Sequence, residues 1–204
     1  MSGEADDAGY AKGRARRARI VRTAFEAFSA HGYRGASLVQ IAADSGVSRA
    51  GLVHHFPTKE SLLEAVLEER DRVDREQFFS GVTAPVDGLD LLGRFARLVE
   101  HNTSNRGIVG LFAVLSVEAS DPSHPAHAYI ATRYENLRRY LGAAIADLDA
   151  RGLLRPGVEV EGLAAELIAT VDGLQVQWLV APDSVDMAAQ FRRRLADLVT
   201  VGVG

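Results

Sequence analysis

The chain has 204 residues, 23 Lys+Arg against 27 Asp+Glu, 47% hydrophobic residues and no cysteine. That length supports one or two domains with a buried core, and the composition excludes a disordered or collagen-like polymer. Without cysteine there is no disulfide scaffold, thiol nucleophile or thiolate metal site, and no run of about 18 apolar residues stands out as a membrane span.

Residues 1–13 read as a disordered or flexible arm. Met1–Tyr10 lacks the apolar core of a secretory leader, so a cytoplasmic protein is expected. The net charge of −4, taken as an average, argues against nucleic acid. Its distribution argues the other way. Residues 11–60 carry nine cations (Lys12, Arg14, Arg16, Arg17, Arg19, Arg22, Arg34, Arg49, Lys59) against three anions (Glu26, Asp44, Glu60), a local +6 that leaves −10 elsewhere. Such asymmetry is the signature of a face for nucleic acid or another anionic surface. Only two of the 23 cations are lysine, so the placement of arginine carries more weight than its abundance.

Residues 14–31 place Arg17, Ile20, Val21, Ala24, Phe25 and Phe28 on one helical face, with Gly32 as a left-handed stop. Ser37 and Gln40 fit a capping box opening a short helix, Leu38 to Ala43. Asp44-Ser45-Gly46 is a turn, and Ser48 caps a second short helix reaching His55. Thr58 caps a long helix carrying Leu62, Leu63, Val66 and Leu67. Beyond Pro85, Leu91, Phe95, Leu98, Val99 and Asn102 share a face, and Gly107 to Ala119 reads as buried. Ile130, Tyr134, Leu137, Leu141, Ile145 and Leu148 form the most regular stripe. Two last helices, about 159–180 and 185–200, carry Leu163, Leu167, Val171, Leu174 and Trp178, then Phe191, Leu195 and Leu198. No alternating strand pattern appears, so the fold expected is all-α.

The segment Leu38 to Phe56 meets the requirements of a helix-turn-helix. Ala42 is small where two helices cross, Gly46 permits positive φ in the turn, and Ile41, Val47 and Leu52 lock the pair. The second helix then projects Ser48, Arg49, Ala50, Val53 and His54, a narrow tip suited to the major groove. Residues 14–70 resemble the DNA-binding domain of the TetR family of bacterial transcriptional regulators. The resemblance is carried by the Arg-rich first helix with Ala24-Phe25 and Phe28, by Gly32-Tyr33 and by Ser37. It continues through Ile41-Ala42, Ser45-Gly46-Val47-Ser48, Leu52, His54-His55-Phe56 and Lys59-Glu60-x-Leu62-Leu63. Val53 departs from the tyrosine usual at its position, and Ala50 and Gly51 depart from the family's common Gly or Pro and Thr.

The resemblance implies an N-terminal three-helix DNA-binding domain with the helix-turn-helix at 14–60. A larger helical domain for effector binding and dimerisation would follow at 61–204. It implies a repressor that binds double-stranded operator DNA as a homodimer and is released by a small-molecule effector. Arg49 can make two hydrogen bonds to guanine or meet a phosphate, and His54 can reach a base edge or a phosphate. The resemblance assigns Tyr33, His55 and Lys59 to backbone contacts. Ser37 and Thr58 are caps first and phosphate ligands second. Ala50 and Gly51 complete the recognition surface. Arg14, Arg16 and Arg17 add general attraction or are simply solvated.

In the larger domain, Asn102 and Gln175 are polar residues on apolar faces. With Phe95, Phe112, Tyr134 and Trp178 they are either effector-pocket candidates or ordinary core and interface residues. Leu163, Leu167, Val171, Leu174, Phe191, Leu195 and Leu198 are expected to pair with a second copy. Asp121, His124 and His127 could bind metal in principle, but Pro122 and Pro125 make their segment a loop, so no metal is expected. No phosphate-cradling loop, zinc-protease or nucleophile-elbow motif is present, and neither catalysis, a cofactor nor a membrane is expected. Two alternatives are open: a regulator of the same fold without effector, and a helical carrier or enzyme that does not bind operators.

Overall fold

The computed structural model describes residues 3–82 and 86–202, the side chains of 3–10 excepted. Among the described residues the regular elements are helices: α1 (Gly3–Gly35), α2 (Leu38–Asp44), α3 (Arg49–His55), α4 (Lys59–Phe78), α5 (Gly88–Asn102), α6 (Arg106–Glu118), α7 (His127–Ala150), α8 (Leu163–Val180) and α9 (Met187–Ala196). The chain divides into two compact units, Met1–Asp71 and Arg72–Gly204. The fold is all-α, as the periodicity implies.

In the first unit, α1 begins well before residue 14 and takes in most of the stretch expected as an arm, whose first two residues lie outside those described. Ile20, Val21, Ala24 and Phe28 are buried, and α1 packs on α2, which packs on α3. Arg17, at the edge of that face, is exposed, and its guanidinium stands 5.0 Å over the Phe56 ring. Gly32 breaks the helix at φ 70°, ψ 171°, a positive φ that a side chain would strain.

The capping box at Ser37 does not form. Ser37 has cap geometry without a side-chain cap bond, and the Gln40 side chain, which a capping box would turn back to Ser37, instead donates to Asp44 Oδ1 at 2.7 Å, a charge-assisted bond one turn away. Two other caps do form. Ser48 Oγ accepts from Gly51 N at 3.0 Å. Thr58 Oγ1 accepts from Ser61 N at 3.1 Å while Ser61 Oγ accepts from Thr58 N at 3.2 Å, a reciprocal pair that starts α4.

The second unit stacks α5 on α7 and α9, and α8 on α6, α7 and α9. Asp87 caps α5 through Leu89 N and Asp90 N. Gly88 sits hard against α7: its N donates to Asp147 Oδ2 at 2.8 Å, and a Cβ there would collide with the Ala144 carbonyl oxygen. The α7 stripe buries Ile130, Leu141, Ile145 and Leu148. The segment that reads as buried, Gly107 to Ala119, is so in part: Ile108, Val109, Leu111, Leu115 and Ala119 are buried, whereas Val114 and Val117 on α6 are 54% and 73% exposed. Arg155 N bonds to Leu198 O and Thr200 N to Leu153 O, fastening the stretch after α9 to the turn after α7.

The residues expected to pair with a second copy are otherwise employed. Leu163, Leu167, Val171, Leu174, Phe191, Leu195 and Leu198 are all buried within their own chain. Apolar periodicity identifies a face that avoids water without identifying what covers it. The face that α8 leaves open is a different one: Ala165, Ala169, Gly173, Val176 and Val180 are exposed, Val180 at 80%. With both faces apolar, α8 is long and apolar enough, by length and composition, to cross a membrane, contrary to the first reading of the sequence. It nevertheless carries Glu166 and Asp172 and packs on three neighbouring helices.

Candidate nucleic-acid interface

The turn between α2 and α3 is fixed from three sides. Gly46 takes φ +64°, and Val47 N bonds back to Ala42 O at 3.0 Å. The buried Ser45 hydroxyl donates to Ile41 O at 2.7 Å. The Ser45 carbonyl accepts from Arg19 Nε at 2.8 Å, so one cation of the basic first helix is a strut for the turn. Sequence reasoning gave Arg19 no such role, because nothing local marks a bond spanning 26 residues.

α3 divides its side chains between holding and presenting. Leu52 and the following Phe56 are buried, at 0% and 2% exposure. Arg49, Ala50, Val53 and His54 are exposed, with Gly51 and His55 half-buried. A Cβ on Gly51 would stand 3.3 Å from Ser48 Oγ, so glycine here leaves the cap its room. The His54 and His55 rings lie 5.5 Å apart, edge on. Burial, and then His54, Arg16 and Arg17, push the His55 imidazole below its ordinary pKa.

A second cluster surrounds the start of α4. The Tyr33 hydroxyl donates to Glu60 Oε1 at 2.8 Å. Lys59 Nζ stands 5.0 Å over the Tyr33 ring and donates to Arg34 O at 3.1 Å. Burial, reinforced by Glu60, raises the Tyr33 phenol far above its usual range. Burial lowers the Lys59 ammonium, partly opposed by Glu60. Glu60 is held low by a backbone hydrogen bond first and by Tyr33 and Thr58 after that. Tyr33, Thr58 and Lys59 thus gather at one helix start, while Ser37 stands apart at the start of α2. Glu60 is the member that sequence reasoning left without a task, since an anion in a basic segment looks like a solvated charge.

In the second unit, Phe95 packs edge-on against Phe191, ring centroids 5.6 Å apart, and is 7% exposed, a core residue. Trp178 is 8% exposed, with the Arg106 guanidinium 5.7 Å over its ring. Arg133 lies 4.6 Å over Phe112. Asn102 and Gln175 are half-buried. Between α7 and α8 the Tyr134 hydroxyl donates to Asp172 Oδ2 at 2.8 Å. Burial raises the Asp172 carboxyl, against the opposing pull of Tyr134 and Arg133. Around Asp121 the histidines serve the loop: His124 Nδ1 accepts from Ala126 N, and His127 Nδ1 bonds to Ala119 O at 2.7 Å. Among the described residues no cluster of three or more ligand-type side chains could hold a metal ion.

Two short helices locked at a glycine turn, the second capped and exposed within a basic segment, define a helix-turn-helix DNA-binding protein. The family model for bacterial regulatory proteins of the tetR family matches residues 20–66, and that for the C-terminal part of BetI-type transcriptional repressors matches residues 113–200. The chain belongs to the TetR family of bacterial transcriptional regulators. It is 28% identical over 178 residues to the probable HTH-type transcriptional regulator ArpR of Pseudomonas putida, covering 84% of this chain and 83% of that one. A TetR regulator from Chloroflexus aurantiacus superposes with a TM-score of 0.75 at 24% identity, covering 91% and 94% of the two chains. A Saccharomonospora viridis regulator solved with choline superposes with a TM-score of 0.75 at 22% identity, covering 91% and 98%.

Proposed function

We propose that the chain is a repressor that binds a near-palindromic operator as a homodimer and leaves it when a small molecule occupies the larger domain. The observation that carries this reading is the exposed face of α3, where Arg49 and His54 stand clear of the fold inside the basic segment. Residues 14–60 are the DNA-binding part and 61–204 the effector and dimer part. Arg49 and His54 meet base edges, while Ala50, Gly51 and Val53 allow close approach to the groove floor. Tyr33, Ser37, Ser48, His55, Thr58 and Lys59 face phosphates.

A second copy is proposed on the outer face of α8, at Ala169, Gly173, Val176 and Val180. Exposed apolar surface of this regularity favours a partner, and a two-fold pair sets the spacing of two recognition helices. The half-buried Tyr134–Asp172 pair, in the apolar surroundings of α7 and α8, supports an effector site, as does the ligand held by the choline-bound fold neighbour. The effector weakens binding by the difference in its affinity for the two states of the protein. The chain is read as cytoplasmic and non-enzymatic, in line with relatives that are transcriptional regulators.

Salt-titrated binding to genomic fragments tests the reading. Selected palindromic sites and a steep loss of affinity with salt are expected. Equal binding to all sequences favours a regulator without operator choice, and no binding at low salt favours the carrier or enzyme. Arg49→Ala relaxes one base position per half-site by about 1–3 kcal/mol. Lys59→Ala lowers affinity on every sequence and reduces the salt slope by about one.

A further inference from the structure

We propose that Val53 reads a thymine C5-methyl group, and so fixes one thymine in each operator half-site. The inference rests on the operator-binding reading above and adds a specificity-determining residue to it. Among the described residues of the first unit, the large hydrophobic side chains left exposed are Val39, at 59%, and Val53, at 41%. Neither is used by the core, where Ile41 and Leu52 do the locking at 0% exposure.

Val53 is the one that stands on the recognition face. It lies four residues after Arg49 on α3, so the two side chains share a side of the helix. Val39 belongs to α2, next to Leu38 at its start. An aliphatic group set among cations on a groove-facing helix has one apolar target on DNA base edges, the thymine methyl in the major groove. A β-branched side chain in a helix has one strongly preferred rotamer, so its two methyls are presented already ordered. Four residues advance the helix about 6 Å, or about two base-pair steps. The thymine therefore lies within about two base pairs of the base that Arg49 contacts.

The test uses the full chain and a duplex it selects from a random DNA pool, with deoxyuridine replacing each thymine in turn. Binding is read by fluorescence anisotropy. Removal of one particular methyl per half-site is expected to weaken the wild-type protein about fourfold, and to leave Val53→Ala unaffected. In the homodimer Val53→Ala removes this contact from both half-sites, so on the unmodified duplex it should lose about the square of that factor, about fifteenfold. Alanine is the better helix former, so that loss would not come from unfolding, and circular dichroism checks it. A methyl effect of the same size in Val53→Ala overturns the assignment, and its loss in Val39→Ala would move it to that residue; a duplex on which no thymine methyl matters overturns it as well. A selection that enriches no sequence overturns the operator reading itself, and the inference with it.

Discussion

The Tyr33 hydroxyl donates to Glu60 Oε1 at 2.8 Å, joining the segment after the Gly32 break to the first turn of α4. The carboxylate occupies a hydroxyl and crowds a lysine that the DNA-binding reading turns toward phosphate. Glu60→Gln keeps an acceptor for Tyr33 and removes the charge. Affinity for all duplexes should therefore rise a few-fold at low salt, with sequence preference unchanged. Equal affinity for wild type and Glu60→Gln would show that this anion does not oppose phosphate. Tyr33→Phe should cost about 0.5–1 kcal/mol of stability, an exposed bond being screened. The Glu60 carboxyl is held low in the fold, so its stabilisation is present above the unfolded carboxylate pKa and is lost as pH falls through the folded one. The gap between wild type and Tyr33→Phe should thus close in acid, below about pH 4.5.

His55 gives a pH dependence near neutrality. Its imidazole is pushed down by burial, then by His54, Arg16 and Arg17, and the Phe56 ring lies beside it. A histidine with a lowered folded pKa binds fewer protons folded than unfolded, so stability falls as pH drops below about 6.5 toward the folded value. On the reading that His55 faces a phosphate, DNA acts in the opposite direction, because phosphate favours the charged ring. Affinity should therefore increase from pH 7.5 to 5.5, with proton uptake on binding. His55→Gln should flatten both the stability and the affinity profile. An affinity that rises equally in the variant would assign the proton to another group.

The starts and stops of the first unit were legible because they are local. A glycine needing positive φ at 32 and at 46, a serine before a short helix at 48 and a threonine before a long one at 58 each act within a few residues. Ser37–Gln40 was misread at the same range: the Gln40 side chain turns to Asp44 one turn on, and the Ser37 hydroxyl makes no cap bond. The struts Arg19–Ser45 and Tyr33–Glu60 span 26 and 27 residues, and no spacing rule announces them. Leu167 and Phe191 were visible as apolar but not as core, because a stripe does not say which surface meets it.

That distinction between the two faces of α8 can be measured. Val176→Asp places a charge on the outer face, and sedimentation should show a monomer with helix content unchanged. Leu167→Asp buries an unpaired charge and should cost more than 3 kcal/mol, enough to lose the fold. A Val176→Asp protein that still dimerises would move the interface off this face.

Gly88 tests the packing of α5 on α7. The Cβ of Gly88→Ala meets backbone at Ala144 and a Leu148 carbon 2.9 Å away, neither of which yields as a flexible side-chain tip would. A loss of about 1–3 kcal/mol, seen as a lower melting temperature, is expected. Gly142→Ala, on α7 with nothing within 4 Å of its Cβ, should be neutral or stabilising. Equal effects of the two would remove the steric account.

On α3, the residues that keep the helix in place and the residues that face outward are different residues. Leu52 and Phe56 hold it, whereas Arg49, Ala50, Val53 and His54 can be exchanged for about 0.5 kcal/mol or less each. If those outward residues read the operator, as proposed, a lineage carrying this fold can retarget itself to a new promoter by changing a few codons, without passing through an unstable ancestor. Gene-regulatory drift is cheap where reading and folding draw on separate side chains.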